Sequence, residues 1–338
     1  MSSEQEHAPR GESAGYFTEQ YGEGPKKVLD RFRLYEFAEP AVDIEAKVFE
    51  SLDLTSAESW VDVGTSDGHF LHMLLSCGHR GELIGIEPNT AQFNYAPRWE
   101  PINPDPVRAA LERALGHEHG LALADEFLAA KPDTDKIKLL KGTANVIPAE
   151  DDYADVLSVM FMLYHLPESK QSQAFAEFKR VLKPNGRFVL ATSGTDNKVR
   201  HRMLEQQIAN NFDQKTTAPK LMNAGFNTER AEAELPKYFS HVYAYKQDSK
   251  MVIDDDDRVD AYLDSLRSLR DQFDPVPDEF TFEDALVDVV LPQIEHDMGK
   301  YGRFIDLIRR SIFICSDSQV LLHEPSDFVP VTAQKHPL

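Results

Sequence analysis

The sequence predicts an α/β fold in which a mostly parallel sheet carries helices on both faces. The segment 60–70 (WVDVGTSDGHF) reads as an apolar strand, a tight glycine turn and the start of a helix. Strand-like and helical segments then alternate as far as residue 192. Such alternation is typical of βαβ units, whose strands run parallel and whose ligands bind at the carboxyl ends of the strands.

The N-terminal region precedes the expected sheet. Residues 1–14 are polar and mixed in charge, which predicts a flexible tail. Residues 25–50 carry apolar side chains at helical spacing, and Pro40 divides them into two helices. These helices either pack ahead of the sheet or form a lid over the active site. The candidate lid side chains are Tyr16, Tyr21, Arg33 and Tyr35.

The strands and helices of the sheet are expected in a regular order. The expected strands are about 59–63, 82–87, 137–141, 154–161 and 187–192. The first helix is expected to end near Cys77, with Gly78 as its terminal glycine, and a second covers 168–181. Residues 89–136 contain prolines at 97, 101, 104 and 106 and then a helical run, which predicts an inserted helical cap. Lys183-Pro184-Asn185-Gly186 predicts a turn.

The last third of the chain is expected to be mixed. A helix is predicted over 196–224, a strand over 240–247, helices over 254–272 and 281–300, and a final strand over 311–315. The four aspartates at 254–257 lack the glycine and terminal glutamate of a calcium loop, and they are interpreted as a solvated helix start. His117-Glu118-His119 is not expected to bind metal, because residues i and i+2 of a helix do not share a face.

Composition restricts the class of protein. The chain has a net charge of −21 and is 41% hydrophobic, so it forms a core and repels nucleic acid. No signal peptide and no apolar run of about 18 residues is present, so no membrane span is expected. Cys77 and Cys315 lie in apolar patterns and predict buried thiols in a cytoplasmic protein. The oligomeric state stays open, with a homodimer among the options.

Several segments in a fixed order carry a family resemblance. VDVGTSDG, IGIEPN, GTANVIPAEDDYADVLSVMFMLYHL and FKRVLKPNGRFVLAT resemble the motifs of class I S-adenosylmethionine-dependent methyltransferases, in particular the small-molecule branch. The resemblance implies a Rossmann-like, seven-stranded sheet with an antiparallel last strand. The implied domain covers 51–320, with helical insertions at about 89–136 and 255–305, after an N-terminal tail and lid (1–50) and before a C-terminal tail (321–338).

The same resemblance implies a cofactor site for S-adenosylmethionine, with S-adenosylhomocysteine as product. Asp62 would reach the methionine amino group, Glu87 both ribose hydroxyls, and Thr143 the adenine amino group. Ser66 stands where the family usually has glycine, and it fits there if its φ stays negative. The cofactor-binding set is Asp62, Gly64, Thr65, Ser66, Gly68, Glu87, Pro88, Thr143, Ala144, Met160 and Phe161.

A nicotinamide or flavin dinucleotide is the alternative cofactor. Its fingerprint is G-x-G-x-x-G, whereas Gly64 and Gly68 give G-x-x-x-G. Glu87 lies 19 residues beyond Gly68, which suits ribose binding in either case. A carboxylate at Asp62 suits a cationic amine and not a pyrophosphate, so S-adenosylmethionine is favoured.

Methyl transfer to a hydroxyl or a protonated amine requires a base. His165 follows the fourth strand and is the candidate; the alternative is that it serves packing or capping. Tyr164 and Ser193 are candidates for lining the acceptor pocket. The resemblance thus implies a methyltransferase acting on a small O-, N- or C-nucleophile, with secondary metabolism as the expected setting. A non-catalytic or regulatory binder of the cofactor and a protein methyltransferase remain alternatives.

Overall fold

The computed structural model describes most of the 338-residue chain. The described residues are 33–42, 44–52, 58–76, 79, 81–90, 136–212, 225–273, 276–318 and 327–331. They divide into two compact units that interleave along the chain. The sheet unit comprises 43–192, 226–246 and 311–338, and the helical unit comprises 1–42, 193–225 and 247–310.

The sheet unit is built on parallel strands. Its strands are β2 (Trp60–Val63), β3 (Leu83–Glu87), β4 (Ile137–Lys141), β5 (Ala154–Met160) and β6 (Leu182–Ser193), with parts of β7 (His241–Ile253) and β8 (Phe304–Ser316). The strand order is β7-β8-β6-β5-β2-β3-β4. The pairs β2–β3, β2–β5, β3–β4 and β5–β6 are all parallel. β9 (Val329–Pro330) pairs antiparallel with β7.

Apolar and aromatic side chains fill the sheet unit. Its helices are α1 (Ile44–Ser51), α2 (His69–Ser76), α3 (Glu168–Val181) and α5 (Thr228–Glu234). In α3, Phe175 and Phe178 are buried and pack on Phe188 of β6. Phe188 also stacks on Phe239, with ring centroids 5.2 Å apart. The parallel strands are therefore covered by an aromatic layer, as expected for a sheet with buried strands.

The helical unit has its own core. It contains β1 (Ala38–Glu39), which pairs antiparallel with β7, and parts of β7 and β8. Its helices are α4 (Val199–Asn211), α6 (Asp256–Arg267), α7 (Glu279–Ala285) and α8 (Leu291–Tyr301), with a π-helical segment at Leu286–Val290. Asp306 caps α4 by accepting from the backbone N–H groups of Arg200 and His201, at 3.1 and 2.7 Å.

The α/β, Rossmann-like fold class is confirmed, although the described residues contain nine strands where seven were expected. The two additional strands, β1 and β9, are two residues long. β7 and β8 each have 13 residues, far longer than the expected 240–247 and 311–315. Charged and polar side chains, such as Asp248 and Asp306, interrupt the apolar pattern of these strands, and their length could not be read from it.

Other expectations have mixed outcomes. α3 has the expected bounds. Residues 183–186, predicted as a turn, lie within β6 at a point where its register with β5 shifts. Ala154 pairs with Leu182, but Val156 pairs with Arg187. α6 begins at Asp256, and Asp255 caps it by accepting from the Arg258 N–H, so the aspartate run does start a helix. Cys315 is a buried free thiol.

Several predicted features lie outside the described residues. They are the N-terminal tail, Tyr16, Tyr21, Cys77, Gly78, most of the 89–136 insertion with His117-Glu118-His119, residues 213–224 and most of the C-terminal tail. Within the part of the chain that the structure describes, no helix is long and apolar enough to cross a membrane. The same residues contain no cluster of acidic, histidine or cysteine side chains that could hold a metal ion.

Candidate functional site: the carboxyl edge of the parallel sheet

The order of the strands defines where a ligand binds. β2 lies between β3 and β5, and the chain runs from β2 to β3 and β4 before it returns to β5. The direction of winding therefore changes between β2 and β5. In open α/β sheets, ligands bind at such a switch point, beyond the carboxyl ends of the strands. This edge carries the predicted residues Asp62, Glu87 and Met160.

The glycine turn that follows β2 is packed between its neighbours. Gly64 has a φ of +78°, and its N–H donates to the Ile86 carbonyl at 2.8 Å. A Cβ on Gly64 would lie 2.6 Å from Cγ of Met162, and one on Gly85 would lie 2.7 Å from Cγ2 of Thr65. Glycine is thus required at both positions. No local pattern indicates the role of Gly85, because that role depends on neighbours in other segments of the chain.

The backbone conformation of Ser66 contradicts the prediction from the sequence. Its φ is +54°, whereas the prediction required a negative value for serine to replace glycine. The left-handed conformation costs a residue with a Cβ on the order of 1 kcal/mol. It places the Ser66 N–H 3.1 Å from Oε2 of Glu87, to which it donates. This hydrogen bond offsets part of the strain.

Glu87, the last residue of β3, is held through both carboxylate oxygens. Oε2 accepts from the Ser66 N–H and Oε1 accepts from the Asn89 N–H, each at 3.1 Å. The side chain is 7% exposed. Burial raises its pKa to about 7, although the two N–H donors act in the opposite direction, and the nearby Asp62 adds to the rise.

Asp62 lies in the middle of the site and is 2% exposed. Its Oδ1 accepts from the Ser158 hydroxyl at 2.6 Å. Burial raises the pKa of Asp62 to about 6, and hydrogen bonds from Ser158 and Thr65 oppose that rise. Among the described residues, no cationic side chain contributes to the pKa of either Asp62 or Glu87. The site therefore contains two buried acids without a positive partner in the described part of the protein.

The predicted adenine-binding residues lie in a tight turn after β4. The N–H groups of Thr143 and Val146 donate to each other's carbonyls, at 3.2 and 3.1 Å. Thr143 is exposed, whereas Ala144 is buried. Pro88, which follows Glu87 on the neighbouring strand, is partly exposed. The contacts of these residues with adenine stay a prediction.

Arg180 fastens the loop that follows this turn. Its Nη2 donates to the Ile147 carbonyl at 3.0 Å and its Nη1 to the Ala149 carbonyl at 2.8 Å. Nη1 also donates to Asp151, while Nε and Nη2 donate to Glu177, each at 2.8–2.9 Å. Glu177 accepts from the Ile147 N–H as well, at 3.0 Å. The sequence analysis missed this clamp, since arginine and glutamate at i, i+3 occur on many helices.

The remaining candidates follow β5. Met160 ends the strand, and Phe161 has a φ of +51°, with its N–H donating to the Ala191 carbonyl. The next turn ends at His165, whose ring centroid lies 4.5 Å from that of Tyr164. All four side chains are partly exposed. A bulky residue with positive φ is a sign of a constrained site, but the roles of these four residues stay predictions.

Two further candidates belong to the helical unit. Ser193 ends β6 and is buried. Tyr35 packs against cations: the Arg310 guanidinium lies 4.1 Å from its ring centroid and the Lys198 Nζ 5.1 Å from it. These contacts give Tyr35 a packing role within its own unit, while its role in a lid stays a prediction.

One segment of the chain is similar to a known protein family. Residues 104–190 match the family model described as "Methyltransferase domain". The range includes β4, β5 and α3 but neither Asp62 nor Glu87. A curated relative, an uncharacterized protein of Haemophilus influenzae, is 38% identical over 69 residues. The matched segment makes up 20% of this chain and spans only 28% of the relative.

Solved structures resemble the chain at low identity. A SAM-dependent methyltransferase of Thermotoga maritima, titled a possible histamine N-methyltransferase, is 13% identical with a TM-score of 0.41, covering 90% of this chain and 99% of its own. A SAM-dependent methyltransferase of Aquifex aeolicus is 22% identical with a TM-score of 0.32, covering 52% and 74%. The [4+2]-cyclase SpnF is 14% identical with a TM-score of 0.42, covering 83% of each chain.

The residues at the carboxyl edge fit S-adenosylmethionine. A cationic amine would neutralise Asp62, and a ribose diol would donate to the carboxylate of Glu87. The Thr65 hydroxyl is buried beside the Asp62 carboxylate and, like that of Ser158, lowers the pKa of Asp62, so the acid is held for a cationic group. A pyrophosphate would instead meet two acids. Together with the domain match, this arrangement supports S-adenosylmethionine as the cofactor of a methyltransferase.

Proposed function

We propose that the protein transfers a methyl group from S-adenosylmethionine to a small-molecule acceptor with an O-, N- or C-nucleophile. The observation that carries this proposal is the pair Asp62 and Glu87. Both acids are buried at the carboxyl edge of the sheet, and neither has a cationic partner among the described residues. Burying such charges is costly unless a ligand compensates them, and the ammonium group and ribose of this cofactor do so.

Each residue has a defined part in the proposal. When bound, the cofactor supplies an activated methyl group, so the protein mainly has to position the acceptor and exclude water. Asp62 binds the amine, Glu87 binds the ribose hydroxyls, and Met160 and Phe161 line the methionine arm. Thr143 and Ala144 bind the adenine edge. His165 accepts the proton of a hydroxyl or amine acceptor.

The charge of the chain supports a small acceptor over a large polyanion. A protein with a net charge of −21 repels RNA and DNA. A protein acceptor is the rival, and the described charges do not exclude it. The cytoplasmic location, the homodimer and a role in secondary metabolism remain parts of the proposal that rest on the sequence alone.

Calorimetry with S-adenosylmethionine and S-adenosylhomocysteine tests the cofactor. We expect the wild type to bind both and Glu87→Ala to bind neither measurably. Glu150→Gln is the matched control, because Glu150 is an exposed acid of the same unit. Lack of binding by the wild type would contradict the proposal.

A transfer assay with a labelled methyl group tests the acceptor. The labelled cofactor is incubated with the enzyme and either a metabolite extract or a protein extract, and the labelled product is separated by size. Label in small molecules supports the proposal, and label in protein supports the rival. Binding without transfer in either extract would indicate a non-catalytic binder.

A further inference from the structure

A chain of buried hydrogen bonds leads to Asp62 from two residues that the sequence analysis did not assign to the site. Nε1 of Trp60 donates to Oγ of Ser158 at 2.8 Å, and Ser158 Oγ donates to Asp62 Oδ1 at 2.6 Å. The exposed fractions of Trp60, Ser158 and Asp62 are 1%, 0% and 2%. All three side chains in this series of hydrogen bonds are therefore buried from solvent.

The strands determine this arrangement. Trp60 and Asp62 are two residues apart on β2 and so point to the same face of the sheet. Ser158 lies on β5 and is the register partner of Asp62. β2 and β5 are the two strands that flank the switch point, so the hydrogen bond links the two strands at whose carboxyl ends the ligand is expected.

The chemistry of the three groups determines which of them donates and which accepts in each hydrogen bond. An indole N–H can only donate, so Ser158 must accept from Trp60. Ser158 has a single hydroxyl proton, which is then directed at Asp62. Asp62 thus receives a hydrogen bond, and such bonds favour the ionised form of a carboxyl group. A carboxylate has two acceptor oxygens, and Ser158 engages one of them.

We propose that Ser158, oriented by Trp60, is a positioning residue that holds Asp62 ionised and fixed for the amine of S-adenosylmethionine. This inference rests on the function proposed above. Ser158 does not contact the reacting atoms in this account; it acts through Asp62. The alternative is that Ser158 only satisfies the buried indole and stabilises the fold.

The surroundings of Asp62 make its protonation sensitive to this contact. Burial raises the pKa of Asp62, and the hydroxyls of Ser158 and then Thr65 lower it. On the neighbouring strand, the charge of Asp62 in turn raises the pKa of Glu87. The Trp60 ring meets Phe70 and His79, with ring centroids 6.0 and 6.1 Å away. Loss of the Ser158 hydroxyl is therefore expected to leave Asp62 protonated over a wider pH range.

Ligands with and without the amine separate the two roles. S-adenosylhomocysteine carries the amino-acid arm, whereas 5′-methylthioadenosine shares the nucleoside and lacks that arm. The test measures the dissociation constants of both ligands by calorimetry for the wild type, Ser158→Ala and Trp60→Phe. The pH range is from about 5.5 to 8.5, which spans the titration of Asp62. Ser311→Ala is the matched control, because Ser311 is also buried and is hydrogen-bonded at 2.9 Å to another hydroxyl, that of Thr228.

We expect Ser158→Ala to bind S-adenosylhomocysteine about tenfold more weakly near neutral pH, the worth of one hydrogen bond to a charged group. The pH at which this affinity declines should move upward, and the affinity for 5′-methylthioadenosine should not change. Trp60→Phe should show the same pattern to a smaller degree, and Ser311→Ala should not show it.

Two results would overturn the inference. An equal loss of affinity for both ligands would mean that Ser158 only supports the fold. An unchanged affinity and pH profile for S-adenosylhomocysteine would mean that Asp62 is positioned without it. If the wild type binds neither ligand, the proposed function fails first and the positioning role fails with it.

Discussion

Acidic residues at the two edges of the parallel sheet lie in opposite environments, and their pKa values shift in opposite directions. At the carboxyl edge, Asp62 and Glu87 are buried, and burial raises the pKa of each. At the amino edge, Asp155 accepts from Lys183 at 2.8 Å, and its pKa is lowered by that contact and by Ser59, although partial burial acts in the opposite direction. Glu82 accepts from Tyr153 and Lys138, which lower its pKa.

Under the proposed function, this difference separates acids that stabilise the fold from acids that bind the cofactor. A paired acid at the amino edge has its compensation within the protein. An acid at the carboxyl edge has none among the described residues, so its burial costs free energy until something binds. Substitutions at the two edges should therefore have different consequences for stability and for binding.

The largest expected effect concerns turnover at the carboxyl edge. If His165 is the base for a hydroxyl or amine acceptor, His165→Ala should lower turnover by about 100-fold or more, without weakening cofactor affinity. The measurement is the rate of methyl transfer at saturating cofactor, with calorimetry for binding. His241→Ala, at the start of β7, is the control and should retain full turnover. Unchanged turnover in His165→Ala would remove His165 from the mechanism.

The next effect compares one acid from each edge. Glu87→Gln should weaken S-adenosylhomocysteine binding by about 10- to 100-fold, because the ribose loses a charged acceptor. It should not lower the free energy of unfolding, since a neutral group is cheaper to bury. Asp155→Asn should do the reverse: normal affinity with modestly lower stability, because its ion pair is partly exposed. The same changes of affinity and stability in both variants would show that acids at the two edges do not differ in role.

The pH dependence of stability should have opposite signs at the two edges. Because the pKa values of Asp62 and Glu87 are raised to about 6 and 7, the folded protein binds more protons than the unfolded chain above about pH 4. The free energy of unfolding should fall as the pH rises from about 4 to 7, by on the order of 3 kcal/mol for each group. The contribution of Asp155, whose pKa is lowered, is lost instead as the pH falls below its unfolded value.

Urea denaturation between about pH 5 and 7.5 measures this dependence. Asp62→Asn removes one of the two titrations and should flatten the decline in stability over that range. Asp155→Asn should leave the decline unchanged. An equally steep decline in Asp62→Asn and the wild type would show that Asp62 does not contribute.

The smallest expected effect uses two residues with the same backbone conformation. Ser66 and Asp152 have φ values of +54° and +53°, one at each edge of the sheet. Replacement of either by glycine should change the free energy of unfolding by no more than about 1 kcal/mol, because relief of strain offsets the added flexibility of the unfolded chain. Only Ser66→Gly should also weaken cofactor binding, since it loosens the N–H that holds Glu87. Equal binding by both variants would contradict a role for Ser66 in that clamp.

Local patterns predicted the parallel strands well, because the ends of β2 to β5 coincide with short apolar runs. They failed for β7 and β8, because polar residues of these strands are satisfied by groups distant in the sequence. Ser249 donates to the Pro40 carbonyl, and Asp306 accepts from the first N–H groups of α4. Local patterns also failed for Ser66, whose conformation depends on the turn between two glycines and on the acceptor that Glu87 provides. Serine at this position carries no local signal of a positive φ.

By itself, the sequence determined the α/β class, the glycine turn and the two acids whose spacing suits a ribose and an amine. These features depend on residues that are close along the chain, where period and spacing are informative. Only the tertiary structure decided how Asp62 is held. Ser158 and Trp60 meet it because β5 pairs beside β2, across 96 residues of sequence. Likewise, the absence of a cation beside the two acids, within the described residues, is a property of packing that no local pattern encodes.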